Sequence, residues 1–307
     1  MPGKIVILGV FVADTAYRAD RQPRMGETIL GNSFALGPGG KGSNQAVAAA
    51  RAGGRVHFIS RLGDDAFAEM ARAAWANAGV TPEIIVDHDS FTGAAYIFIE
   101  ESSGDNAIII SPGAAGNISA EDVESHSGLI ASASVFVTQL EQPIPAARRA
   151  LEIAREGVAR TILNPAPAAE IPSDILANCD FVTPNETEAE GITGITVHTS
   201  EDAERAAAAL LSRGVGAAIV TLGEKGALYR DRNRTTHVPA HDAGPVVETT
   251  GAGDAFNGGF ATALAAGADP VEAVRFGCAA AAISVTRPGT APSMPERSEI
   301  EALLSGS

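Results

Sequence analysis

GPGGKGSNQAVAAARAGG, residues 37–54, is a glycine-rich turn that runs into an alanine-rich helical stretch, and the rest of the chain is read outward from it. Glycines at a helix start let backbone N–H groups approach an anion or a polar ligand, because no side chain stands in the way and the helix dipole favours negative charge there. Two devices of this kind compete. Gly37, Gly39 and Gly42 satisfy the dinucleotide pattern G-x-G-x-x-G; the apolar run Phe34–Leu36 precedes them, and a second, Val56–Ser60, leads on to Asp64. The letters GGKGS are those of a P-loop out of order. That motif needs Gly-Lys followed directly by Ser or Thr, and here Gly42 follows Lys41, so the P-loop fails. The dinucleotide pattern is one weak match, and the remaining sequence has to decide it.

Composition narrows the field. A chain of 307 residues can bury a large core as one α/β domain with a small attachment. Aromatics are few while alanine and glycine are abundant, which suits helices packed closely on a parallel sheet. A formal charge of −15 argues against nucleic acid or an anionic membrane as partner, since both require a basic face; a local site can still hold an anionic substrate. Cys179 and Cys278 lie far apart without metal-ligand spacing and read as buried small residues in a reducing compartment. The opening MPGKIVILGVFVAD has an apolar run too short for a membrane span and no basic leader. It reads as a first buried strand of a cytoplasmic protein.

Along the chain a strand–helix rhythm emerges. KIVILGV, RVHFIS, SVFVTQL, RTILNPA, DFVTPN and AAIVTLG are strand-like, and DAFAEMARAAWANAG, IPAARRALEIAREG and SEDAERAAAALLSRG are helical. This alternation predicts an α/β fold, a mostly parallel central sheet with helices on both faces. Residues 15–36, with Pro23, Gly26 and Gly31, and residues 92–110, TGAAYIFIEESSGDNAIII, break the rhythm and read as antiparallel excursions forming one small lid sheet. No linker or low-complexity tract divides residues 1–307, so one domain is expected, with residues 251–285 almost continuously helical.

A second stretch, VVETTGAGDAFNGGFATALAAG (Val246–Gly267), repeats the theme of the first. A strand-like PVVE runs into Thr250, Gly251, Ala252 and Gly253, and a helix starts near Asp254. Free N–H groups at that turn can gather into an anion cradle. A carboxylate in the first turn of a helix is by default a favourable N-terminal acid. Inside an anion cradle, however, it gains nothing unless it does chemistry, and Asp254 is placed to take a proton from an attacking hydroxyl while the glycine N–H groups neutralise a phosphoryl group in transfer.

GGKGSNQAVAAARAGG followed by LGDD, and TTGAGDAFNGGF two hundred residues later, resemble the two signatures of the ribokinase-like sugar kinase family. The resemblance continues in order through QLEQP, LNPAPA, TPNETEAE, VTLGEKG and SVTRPGTAPSMP, over essentially the whole chain. A dehydrogenase has no use for a second cradle with Asp254, so the dinucleotide reading falls. The resemblance implies an ATP-dependent kinase acting on a small sugar hydroxyl, ribose to ribose 5-phosphate first of all. Deoxyribose, nucleoside and phosphosugar kinases differ only in the pocket, and a sugar-binding regulator without catalysis is the alternative from another class. On the same basis Asp254 is the base, with Gly251, Ala252 and Gly253 as the cradle. The sugar falls to Asp14, Gly40, Lys41, Asn44 and Glu141, and ATP to Asn185, Thr221, Gly223, Glu224, Gly226, Gly253 and Cys278. Glu188 would organise Mg2+ through water, as suits an ion that keeps most of its waters. Glu248, Thr250, Ser284, Arg287, Gly289 and Ser293 would form a monovalent cation (K+) loop, and the lid would pair two copies as a homodimer. Each residue also has a plain reading: Lys41 a solvated loop lysine, Asn44 a helix-start residue, Asp14 a turn residue, Glu141 a surface glutamate, Asn185 and Glu188 a capping box, Thr221–Gly226 a turn.

Three positions depart from the family pattern. Val12 stands where asparagine is usual, two residues before Asp14, so a hydroxyl contact is exchanged for an apolar wall, which turns attention from ribose toward deoxyribose. Glu248 replaces the usual aspartate of the cation loop, and Cys278 a histidine near the adenosine. A phosphosugar would want extra cations, for which Arg18, Arg21 and Arg24 are the candidates.

Overall fold

The strand KIVIL, β1 (Lys4–Leu8), is buried on both faces: Ile5 and Ile7 enter one core and Val6 and Leu8 the other. A strand with two dry faces must lie between two helical layers, and the sheet is built around it. The computed structural model of the protein describes residues 3–168 and 170–306. Among them the strands that follow are β2 (Val12–Ala19), β3 (Ser33–Gly39), β4 (Arg55–Leu62), β5 (Thr81–Val86), β6 (Thr92–Glu100), β7 (Asn106–Gly113), β8 (Val135–Thr138), β9 (Arg160–Leu163), β10 (Phe181–Val182), β11 (Ala217–Thr221), β12 (Ala227–Arg230) and β13 (Thr235–Val238).

The central sheet has the order β13-β12-β11-β10-β9-β8-β1-β4-β5, parallel from β11 to β5, with β12 and β13 added antiparallel at one end. The chain first works outward from β1 through β4 to β5, then restarts at β8 on the other side of β1. That reversal opens a crevice above the carboxyl ends of β1 and β8, the place where open α/β sheets bind ligands. Helices Lys41–Arg51, Ala66–Ala78, Ala252–Ala265 and Pro270–Ser284 supply one core layer, and Ile144–Glu156 and Ser200–Ser212 contribute to the other. Trp75, fully buried, meets Phe11 and Phe58 edge-on, and its indole N–H donates to Ser43 Oγ at 2.9 Å.

Both interruptions of the rhythm join one separate sheet, β3-β2-β6-β7. Its outer pairings are antiparallel, and the middle one, β2 with β6, is parallel, the chain having passed through β4 and β5 of the central sheet between the two strands. Tyr17, Phe34, Leu36 and Ile108, Ile109 and Ile110 are exposed on it. The expected strand PVVE does not form. Val246 and Val247 are exposed, and the segment is tied down by the Val285 carbonyl, which accepts from the N–H groups of Val247 and Glu248. A strand needs a neighbouring edge, and this segment runs along a helix end instead. No helix among the described residues is long and apolar enough to cross a membrane.

Candidate active site

Helix Lys41–Arg51 starts at Gly40, which has φ 87°. A Cβ there would stand 2.6 Å from the Val10 carbonyl oxygen, and one on Gly42 would stand 2.7 Å from Gly9 Cα, so glycine is required for the helix to press onto the end of β1. The helix has no side-chain cap of its own. Glu141, from the loop after β8, supplies one: its Oε2 accepts the Lys41 N–H at 2.8 Å. Burial raises the Glu141 carboxyl to about 7, against the pull of Lys41, with Asp254 and Asp14 adding to the rise. Asp14, on β2, lies directly over Gly39, and burial, then the charge of Asp254, raises it to about 6. Its oxygens take no hydrogen bond among the described residues, which leaves acceptors for a ligand.

The second cradle lies opposite. Helix Ala252–Ala265 begins at Gly251 in the left-handed region (φ 85°), again without a side-chain cap. The Ala252 N–H turns back to the Thr249 carbonyl at 3.2 Å. Those of Gly251, Gly253 and Asp254 have no acceptor among the described residues, so this helix start has donors to offer an anion. Asp254, third in the helix, is buried. Asn44 Nδ2 donates to its Oδ2 at 3.1 Å and Gln45 Nε2 to its Oδ1 at 3.0 Å. Burial raises its pKa, opposed in turn by Lys41, Gln45 and Asn44. Asn44 Oδ1 is buried without a partner, an acceptor left over for a hydroxyl. Two helix starts thus meet face to face, one carrying Lys41 and Asn44, the other an open cradle and a carboxylate whose proton affinity is lifted. Such a set can deprotonate a hydroxyl beside a bound phosphoryl group.

The plain reading of Asn185 and Glu188 holds: they form a capping box. Asn185 caps helix Glu186–Thr193, and the two side chains exchange bonds with each other's N–H at 2.8 and 2.9 Å. Glu188 is nevertheless buried, which raises it, and it feels both Lys41 and Asp254. Thr221 bridges to Asn185, and the tight turn Gly223–Lys225 follows, with Glu224 exposed. Gly223 (φ 53°) and Gly226 (φ 91°) both need their glycine, and Gly226 also lies against the Val238 carbonyl. Cys278 belongs to the same core cluster as Phe256 and Phe260, and burial pushes its thiol up to about 12.

The residues expected in a cation loop also converge. Glu248 Oε2 accepts the Gly289 N–H at 2.8 Å, so the longer side chain folds onto the loop. Ser284 and Ser293 donate their hydroxyls to the carbonyls of Ala281 and Thr290. The Arg287 guanidinium pairs with Glu299, leaving only its backbone to the loop. Thr290 packs against Gly251, so the loop touches the cradle that Thr250 leads into. Arg21 is engaged bidentately by Glu27, whose Oε2 also accepts the Arg24 N–H. Arg18 lies four residues beyond Asp14 on an extended strand, roughly 13 Å away.

Sequence reasoning missed a set of buried polar residues behind Asp254: Gln45, Gln139, Asn164, Thr183 and Asn257. Gln139 Nε2 donates to Gln45 Oε1 at 2.6 Å, and Gln45 in turn reaches Asn164 at 2.9 Å. The available signal was position: Gln139, Asn164 and Thr183 each stand directly after a buried parallel strand, where polar residues face the crevice.

A family model described as pfkB family carbohydrate kinase matches residues 3–297. The chain belongs to the pfkB family of carbohydrate kinases. Ribokinase of Haemophilus influenzae is 38% identical over 296 residues, 96% of either chain. Deoxyribokinase of Salmonella typhi is 36% identical over 303 residues, 98% of either chain. The structure of Arabidopsis thaliana ribokinase complexed with ribose and ATP matches with a TM-score of 0.93 and 32% identity, covering all of both chains. The resemblance read from the motifs, the α/β fold with a lid and a sugar kinase activity therefore hold for this pfkB member, and the dehydrogenase reading is closed.

Proposed function

We propose that the protein is a ribokinase, transferring the γ-phosphoryl group of ATP to the 5-hydroxyl of ribose. The observation that carries this is the buried Asp254 carboxylate set against an open N–H cradle, in a chain of this family. Asp14, Asn44 and Gly40 hold the sugar; Lys41 and Glu141 fix the helix start that presents them. The sugar oxygen gives its proton to Asp254 Oδ2 and forms a bond to the γ-phosphorus as the bond to the bridging oxygen of ADP breaks. The N–H groups of Gly251 and Gly253 meet the charge on the transferring group. ATP lies along Asn185, Thr221, Gly223, Glu224 and Gly226, with Cys278 behind it.

No group of three or more acidic, His or Cys side chains among the described residues could hold a metal unaided. That fits Mg2+ arriving on the nucleotide, with Glu188 as a water-mediated carboxylate. Magnesium would supply charge neutralisation between the phosphates. The carboxylate of Glu248 beside the Gly289 turn fits a K+ site with Thr250, Ser284, Arg287 and Ser293, which would stiffen the cradle through Thr290 and Gly251. The lid excludes water, and its exposed apolar residues pair two copies as a homodimer. Two free buried thiols suit the cytoplasm.

Deoxyribose is the second reading. Val12, buried, pairs in register with Gly39 and lies against Gly93, an apolar wall near Asp14. ADP release measured over ribose, deoxyribose, hexoses, nucleosides and phosphosugars, with and without potassium, tests both readings. Ribose with the highest kcat/KM supports the first, deoxyribose the second, and no ADP release with any pentose overturns both.

A further inference from the structure

We propose that Gln45, Asn164, Thr183 and Asn257 close a hydrogen-bonded ring that positions the Asp254 carboxylate and Gly253 as one body. The inference rests on Asp254 being the base. Gln45 Nε2 donates to both Asp254 Oδ1 (3.0 Å) and Asn164 Oδ1 (2.9 Å). Asn164 Nδ2 donates to the Thr183 carbonyl at 3.1 Å, and the Thr183 hydroxyl to Asn257 Oδ1 at 2.7 Å. Asn257 Nδ2 returns to the Gly253 carbonyl at 2.8 Å, one peptide bond from where the circuit began.

The polarity of the circuit is imposed at its ends. A carboxylate and a backbone carbonyl can only accept, so Gln45 and Asn257 must each present nitrogen there, and every amide between is oriented in turn. Gln45, Asn164, Thr183, Asn257 and Asp254 are buried, so water cannot readily substitute for a broken link among them, and a satisfied network in a dry site is rigid; only the closing bond to the Gly253 carbonyl is part-buried. The ring engages Oδ1 from behind. It leaves Oδ2, where Asn44 is the donor, as the oxygen that takes the substrate proton. It also fixes the peptide that carries a cradle N–H, so base and cradle keep their spacing when substrates enter. The four ring residues are therefore positioning residues: none needs to touch a substrate.

Thr183→Val tests this, because it removes the hydroxyl while keeping shape. Single-turnover phosphoryl transfer with ATP and the preferred sugar of the screen should slow by about ten- to a hundredfold, the scale of displacements on the order of 1 Å. KM for sugar and ATP should stay within about twofold, and Thr183→Ser should restore the rate to within about threefold. Asn164→Ala, which opens the ring elsewhere, should give the same split and serves if Thr183→Val does not fold. In an Asp254→Asn background the Thr183→Val change should add almost nothing, since residues acting as a unit are not additive. A folded Thr183→Val enzyme with a normal rate beside an inactive Asp254→Asn overturns the ring alone. Failure of Thr183→Ser to rescue, or a loss seen equally in KM, also overturns it. An active Asp254→Asn overturns the base assignment and the ring's purpose with it.

Discussion

Replacing Asp254 by asparagine separates what the carboxylate does for catalysis from what it does to the fold. The side chain keeps its shape, and its oxygen can still accept from Gln45 Nε2. Its new nitrogen would confront Asn44 Nδ2, but Asn44 has a buried, unpartnered Oδ1, so turning that amide over restores a hydrogen bond. The variant should therefore fold and bind both substrates, with KM within about threefold. Lys41 and the open N–H groups remain, so some transfer persists without the proton acceptor. The loss should be about two to four orders of magnitude in kcat, the scale of a general base, equivalent to about 3–5.5 kcal/mol in barrier. Stability should move the other way. Burial raises the folded-state pKa of Asp254 above its ordinary value, so its favourable contribution exists only in acid and is lost as pH rises through the folded pKa. At neutral pH the ionised group is a burden that the amide removes. The variant should melt higher than wild type at pH 7 to 8, with the gap closing on acidification. The assays are a coupled ADP-release rate and melting curves across pH. Turnover near wild type would remove Asp254 from the mechanism, and a variant that melts lower at every pH would refute the reasoning about its burial.

Three further outcomes follow from the same geometry. Asn44→Ala should raise the KM for sugar, with a lost contact worth on the order of 1 kcal/mol, and leave the KM for ATP almost unchanged; the reverse pattern would mean the two sites are exchanged. Asp14, raised to about 6 by burial and then by Asp254, protonates as pH falls through that value and ceases to accept from a hydroxyl. The KM for sugar should therefore climb below about pH 6, and Asp14→Asn should bind weakly at every pH with that dependence flattened; an unchanged profile in the variant would assign the titration elsewhere. Glu248→Asp shortens the side chain that now reaches the Gly289 N–H, so potassium activation should strengthen while sugar preference stays fixed. Superimposable rate curves against potassium, sodium and caesium for the two forms would return Glu248 to a plain loop glutamate.

The parts of the site that were legible in sequence are those with a local cause. Gly40, Gly42 and Gly251 stand where a side chain or a negative φ is forbidden, and such needs leave a mark within a few residues. Asp254 was conspicuous because it sits inside one of those marks. The ring was not, because Gln45, Asn164, Thr183 and Asn257 come from four elements, and each looks like an ordinary polar residue until the sheet order brings them together. The parallel pairing of β2 with β6 was hidden for the same reason: its partners lie 80 or more residues apart, as Thr15 Oγ1 and the Ala95 carbonyl illustrate. PVVE misled in the opposite direction. Its residues have strand propensity, but propensity without a neighbouring edge makes no strand.

Trp75 gives the protein an optical gauge of its own. It is the chain's one tryptophan, sealed among Phe11, Phe58 and the helix that begins at Lys41. Among the described residues its indole N–H has one polar partner, Ser43, the residue before Asn44. An indole held dry and rigid emits toward the blue and is closed to quenchers such as iodide. That hydrogen bond, however, ends on the helical turn proposed to grip the sugar. A ligand that draws that turn inward would change the indole's surroundings directly, so native emission offers a label-free readout of the proposed sugar site. The same signal followed in denaturant reports the opening of the core layer on which that turn is mounted.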